Sequence, residues 1–159
     1  MEKFLAEDKA VKSVVGPVDL NTAAVTGARV DMRKAKRVTF IVTLAAGTST
    51  TGHVVTLRQH TAASSGTSAD LASENPYYHK VGAATVFTKV TPGSAAAAKD
   101  IHAVVGDNAS IVIFEVLAEE LTEGYGWVSV DTSDVGGAQL GSVIALVETD
   151  YKPGYALAV

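Results

Sequence analysis

The sequence predicts an all-β fold: an antiparallel two-sheet β-sandwich, wound as a jelly roll. Three observations carry that reading. The 23 Val and 16 Thr fall in short β-branched runs, Gly, Asp, Asn and Ser separate those runs, and no helical stretch is long enough to cross over a parallel sheet. Residues 10–15 and 28–32 open the chain as weaker strand candidates. Residues 38–44 alternate cleanly, with Val38, Phe40, Val42 and Leu44 on one face and Thr39 and Thr43 on the other. The connector 45–52, rich in Thr and closed by Gly52, reads as a hairpin into the next run, 53–60.

A loop over 61–70 and the dense aromatic group Asn75-Pro76-Tyr77-Tyr78-His79 precede a strand expected at 83–90. Pro92-Gly93 breaks the chain before a helical turn at 95–99, and 101–105 is a weak strand. A second hairpin is expected at 105–109, leading into the strong run 110–116, which a polar turn at 117–121 follows. Trp127 opens the strand 127–131 and is expected between the sheets, with Val128 and Val130 opposing Ser129 and Asp131. A Gly-rich hairpin at 134–138 then delivers the last strand, 142–148. The count is eight or nine strands, successive ones antiparallel.

At 159 residues the chain makes one domain, with 1–27 as an N-terminal arm or first strand and 28–159 as a single β-sandwich. Folding should hide roughly two-thirds of the extended surface, enough for an ordinary core without a staple. The absence of Cys excludes disulfides, thiolate chemistry and Cys-ligated zinc. A net charge of −4 argues against nucleic-acid binding driven by bulk charge. The opening Met1-Glu2-Lys3-Phe4-Leu5-Ala6-Glu7 is acidic where a secretory signal is basic and then apolar, and no stretch offers the roughly 20 apolar residues of a membrane span. Charge is uneven: residues 1–37 hold eight bases against five acids, whereas the rest hold five against twelve. The N-terminal quarter is therefore suited to meet an acidic surface.

Motifs for chemistry are missing. No Gly-x-Ser-x-Gly elbow, Gly-x-Gly-x-x-Gly fingerprint or phosphate-binding loop occurs. His53, His60, His79 and His102 are scattered without ligand spacing, so no metal and no cofactor is expected. Asp131-Thr132-Ser133-Asp134 reads as a solvated turn before it reads as a calcium loop. Glu115, Glu119, Glu120 and Glu123 crowd one turn and read as a solvated cap, not as the separated carboxylates of a glycosidase.

The order of features from residue 111 is more specific. A strand Ile111-Val112-Ile113-Phe114-Glu115-Val116, an acidic turn Ala118-Glu119-Glu120-Leu121, an aromatic strand Tyr125-Gly126-Trp127-Val128-Ser129-Val130-Asp131 and a Gly-rich hairpin lead to Val143-Ile144-Ala145-Leu146-Val147 and Asp150-Tyr151-Lys152-Pro153. This order resembles the auxiliary head proteins of tailed bacteriophages, the capsid decoration or cement proteins. Ala35-Lys36-Arg37-Val38-Thr39-Phe40-Ile41-Val42 is similar to a phrase of their N-terminal half, so the resemblance spans residues 31–153 and lies in pattern. It implies a non-enzymatic virion protein, made in the host cytoplasm, that binds the phage major capsid protein on the capsid exterior. It further implies a homo-oligomer, a dimer or trimer, with neither nucleic acid nor membrane as partner. On that reading Lys9, Lys12, Arg29, Arg33, Lys34, Lys36 and Arg37 meet carboxylates, and Tyr77 and Tyr78 supply interface anchors. The alternative is a glycan- or receptor-binding jelly roll of a head fibre or tail. A metal-holding cupin-like enzyme and a self-assembling shell subunit are the remaining competitors.

Overall fold

Alternation decides the architecture. The computed structural model of the chain describes residues 9–149. Among them eleven strands run in the order β1 (Ala10–Asp19), β2 (Val30–Asp31), β3 (Ala35–Leu44), β4 (Val54–His60), β5 (Ser68–Asp70), β6 (Tyr77–Val81), β7 (Thr88–Val90), β8 (Ala98–Asp100), β9 (Ser110–Leu117), β10 (Trp127–Thr132) and β11 (Leu140–Thr149). A single helical turn, α1 (His102–Val105), precedes β9, and a 3-10 turn, Ala118–Glu120, follows it.

The strands form two antiparallel sheets packed face to face. One has the order β1-β11-β3-β9-β6-β7; the other has β2-β10-β4-β5, with β8 sharing the free edge of β4 beside β5. β3 sits at the centre of the larger sheet, paired with β11 on one side and β9 on the other. Its Val38, Phe40, Val42 and Leu44 point inwards and are buried, as are Val112, Phe114 and Val116 of β9 and Val143, Ala145 and Val147 of β11. Val55 and Leu57 of β4, Val128 and Val130 of β10 and Val30 of β2 face them from the smaller sheet. Ile101 and Val105 close one end of the core.

Several local expectations are corrected. The connectors 45–53 and 133–139 are not hairpins: β3 and β4 lie in different sheets, as do β10 and β11, so each connector crosses the sandwich; nor is 105–109 a hairpin, since it joins α1 to β9 and the strand before α1, β8, lies in the other sheet. Turn residues specify a change of direction but not the sheet in which the next strand pairs. The two crossings brace each other, since Thr48 N–H donates to the carbonyl of Ala138 and Thr50 N–H to that of Val135. A β-carbon at Gly137 would collide with the backbone carbonyl of Thr48, so this approach requires glycine. The strand expected over 83–90 shrinks to Thr88–Val90, and Tyr77–Val81 forms β6 instead. The helical turn expected at 95–99 gives way to β8, and the weak strand at 101–105 gives way to α1.

Phe40 is fully buried, so Phe40→Ala is expected to lower the unfolding free energy by about 3–5 kcal/mol, read as a reduced urea midpoint at unchanged slope. Gly137→Ala should destabilise far more than Gly93→Ala, because nothing lies within 4 Å of a β-carbon built at Gly93.

Candidate functional site

The basic residues singled out in the N-terminal quarter do not act as one patch. Residues 10–19 are built into the larger sheet as β1, paired along their length with β11; residues 1–8 lie outside the described residues. Lys12, Arg29 and Arg33 gather at one corner of the molecule around Trp127. Lys12 and Arg29 line a hollow of about 550 Å³ with Thr26, Gly27, Ala63, Ser64 and Trp127. The Lys12 ammonium donates to the Arg29 carbonyl at 2.8 Å. Arg29 donates to the carbonyls of Ala62 and Ser65, both at 2.7 Å, and to the Ser68 hydroxyl at 3.3 Å, pinning the loop after β4. The Arg33 guanidinium stacks 5.0 Å from the centre of the Trp127 ring and forks onto Asp31, which holds the Asp31 carboxyl below its ordinary range.

Trp127 therefore faces outwards, contrary to the expectation that it packs between the sheets. Its register explains this: it shares parity with Ser129 and Asp131, while Val128 and Val130 take the inner positions. That signal stood in the sequence, in the alternation of the same strand.

The other basic residues lie elsewhere. Lys34 and Lys36 are exposed, at the turn into β3 and at its start. Arg37 and Lys9 lie on the outer face of the larger sheet. There Arg37 reaches Glu148 at 2.6 Å and Glu115 at 3.5 Å, and Lys9 stands 3.7 Å from Glu148. These carboxylates hold the Arg37 guanidinium above its ordinary range, and Arg37 holds Glu148 below its own. Half-exposed pairs of this kind contribute about 1 kcal/mol at most.

The same face carries the apolar residues that alternation excludes from the core. Ile144, Ile41, Ile113 and Tyr78 form one row across β11, β3, β9 and β6. Val11 and Leu146 extend it on one side and Ile111 on the other. Val11 is 48% and Ile144 38% exposed, and Val86 and Phe87, just before β7, are 71% and 44% exposed. The two adjacent tyrosines thus divide. Tyr77 is buried, its ring 5.2 Å from that of Phe114, and is no contact anchor; Tyr78 stands in the outer row. One strand cannot send neighbouring side chains to the same face.

Two histidines escaped the sequence reading as structural groups. His60 is 2% exposed, with Nδ1 2.7 Å from the Ser68 hydroxyl and Nε2 2.9 Å from that of Ser129. Ser129 donates to Asp131, so Nε2 carries the proton and Nδ1 accepts from Ser68. Burial, with Arg29 nearby, lowers the pKa of His60 and keeps the ring neutral. His53 is fully buried and neither ring nitrogen has a partner. Burial, and then the neighbouring His102, push it down to about 4.

The acidic turn is also more than a solvated cap. Glu120 accepts from the Leu117 N–H, from Asn75 and from Ser73, tying the segment before β6 to the end of β9. Asp131 and Asp134 are taken up separately by backbone N–H groups of Gly27 and Gly136, and no group of three or more candidate metal ligands occurs among the described residues. No helix among them is long and apolar enough to cross a membrane. Neither a protein-family model nor a curated protein matches the chain.

His53 takes a proton at about 6.5 when unfolded and only at about 4 when folded. Its contribution is complete above about pH 6.5 and is lost as pH falls toward 4, about 3 kcal/mol in all. Urea midpoints across that window should therefore fall less steeply for His53→Leu than for the wild type. Arg29→Ala should accelerate proteolytic cleavage within residues 62–67 and lower stability by about 1–2 kcal/mol.

Proposed function

We propose that the chain is a non-enzymatic virion structural protein that binds the outside of an assembled phage head and stabilises it. The observation that carries this reading is the outer face of the larger sheet, a row of Ile144, Ile41, Ile113 and Tyr78 flanked by Val11, Leu146 and Ile111. A contiguous apolar row that is partly open to solvent, most so at Val11 and Ile144, suits a place where another macromolecule sits. β-branched side chains on a sheet also lose little rotamer freedom when covered.

We further infer a jelly roll from the strand orders. β1-β11-β3-β9 and β2-β10-β4-β5 are the two interleaved sheets of a pair of wound Greek keys, with β6, β7 and β8 inserted between the fifth and ninth strands. The partners on this reading are the phage major capsid protein and further copies of the chain, as a dimer or trimer on the capsid exterior. A ligand that binds only the assembled lattice stabilises it by mass action, by about 2.7 kcal/mol per site at about 100 times its dissociation constant. Repetition over the shell multiplies modest contacts.

The hollow beside Trp127 favours a second reading, a glycan- or receptor-binding module, because a half-buried indole walls a site that also holds Lys12 and Arg29. Trp127 is the only tryptophan, so its fluorescence reports occupancy of the hollow directly; saturable quenching by an oligosaccharide would move the assignment there.

Quantitative mass spectrometry of purified particles of the encoding phage tests the main reading. The expected result is a small integer ratio to the major shell subunit, as closed symmetry demands. A handful of copies would relocate the protein to the neck or tail, and its absence from particles would overturn the proposal.

A further inference from the structure

We infer that the hollow beside Trp127 is a seat for an acidic saccharide, in which the indole meets the face of a sugar ring and Lys12 and Arg29 receive its carboxylate. This rests on the second reading, that the hollow holds a glycan, and it names the chemistry of that glycan.

The walls come from separate segments. Lys12 belongs to β1, at the edge of the larger sheet, Arg29 to the segment before β2, and Ala63 and Ser64 to the loop after β4. The two cations keep their charge. Among the described residues no carboxylate lies within ion-pair distance of either. The groups that accept their hydrogen bonds are the carbonyls of Arg29, Ala62 and Ser65 and the Ser68 hydroxyl, all of them neutral. A neutral acceptor occupies a donor without cancelling its charge. Two acids do adjoin the lining, and both point their oxygens at other groups. Asp31, paired across the ladder with Trp127, takes the backbone N–H and the guanidinium of Arg33. Asp131 accepts from the Gly27 N–H and the Ser129 hydroxyl through Oδ1, and its Oδ2 stands 3.8 Å from Arg58.

The cations are held in place before any ligand arrives. Arg29 grips the carbonyls of Ala62 and Ser65, on either side of Ala63 and Ser64. Thr61 closes the base of the same loop, its hydroxyl accepting from the Thr67 N–H and its own N–H donating to the Thr67 carbonyl. Arg33, anchored on Asp31, lies against the indole. A ligand entering such a site orders few groups that were not ordered already, which favours binding.

The mixture of groups selects the ligand class. A bare anion would use the cations and leave the indole idle. A sugar acid presents an apolar C–H face to the indole, hydroxyls to the exposed Thr26 and Ser64, and a carboxylate to Lys12 and Arg29. The volume of about 550 Å³ falls within the roughly 300–1,000 Å³ of small-ligand sites. A polynucleotide also offers rings and anions, but its row of phosphates meets a chain of net charge −4.

The test uses the full-length protein, so that a ligand has to take the hollow in the presence of the acids of residues 1–8, and reads Trp127 fluorescence with equilibrium dialysis beside it. The probes are two matched pairs, trigalacturonate with its methyl ester and sialyllactose with lactose, together with a thymidine trinucleotide. The acid of at least one pair should bind saturably, with its neutral counterpart about tenfold weaker, since the charge is lost and the rings remain. Lys12→Gln should weaken that acid about fivefold and leave the neutral sugar within about twofold, whereas Lys80→Gln, on the larger sheet away from the hollow, should alter neither. Trp127→Leu, followed by dialysis, should weaken both sugars alike. Circular dichroism establishes that each variant folds, and Lys12→Met replaces the Gln variant if that one does not. Equal affinity for acid and neutral sugar would overturn the inference and leave the glycan reading standing. No saturable response to any sugar would sink both. The inference also falls if the trinucleotide binds as tightly as the acid, or if Lys80→Gln costs as much as Lys12→Gln, which would make the attraction one of bulk charge.

Discussion

Interdigitation of the two inner faces is the interaction on which the rest depends. Phe40, Val42, Val112 and Phe114 from the larger sheet meet Val55, Leu57, Val128 and Val130 from the smaller one, and all are buried. Because side chains alternate along a strand, each residue given to this core forces its neighbours outwards. Ile41 faces out because Phe40 and Val42 face in, and Trp127 faces out because Val128 faces in. The two surfaces considered for function are therefore consequences of how the core is filled.

Those surfaces differ in kind. The outer face of the smaller sheet is polar and tied down: Arg29 holds a loop over it, and His60 runs a hydrogen-bond chain from Ser68 through Ser129 to Asp131. Groups so thoroughly paired with one another stiffen their corner and leave the Trp127 hollow as its accessible feature. The outer face of the larger sheet has an apolar middle, with the ion pairs of Arg37 at one end and Lys80 and Lys89 at its β6 and β7 margin. A surface of that composition gains most from being covered. The buried, unpartnered His53 sits apart from both and ties the stability of the crossing region to pH.

Much of the strand set was legible in the sequence. Residues 38–44, 53–60, 110–116, 127–131 and 142–148 were each placed by β-branched content and alternation, and each falls within one residue of a strand or inside it. The failures have a common physical origin. Residues 83–87 have strand composition but no neighbour to pair with, whereas Tyr77–Val81 lacks a clean alternation and pairs because β9 presents an open edge to it. Ala98–Asp100 likewise becomes a strand because β4 has room beside β5. Composition reports what a segment tolerates; pairing requires a partner that composition does not contain.

The candidate site divides along the same line. The basic character of the N-terminal quarter and the outward parity of Ser129 and Asp131 were written in the sequence, and parity alone would have sent Trp127 outwards and separated Tyr77 from Tyr78. Residue order could not decide that 45–53 and 133–139 cross between sheets, that Lys12, Arg29 and Arg33 converge on Trp127 while Arg37 goes to the opposite surface, or that Ile144, Ile41, Ile113 and Tyr78 align in one row. Local periodicity belongs to each strand by itself and is readable from a window of a few residues. Register and sheet membership are set by contacts between segments far apart in the chain, as where Ala10 pairs with Val147, and only the folded chain brings those together.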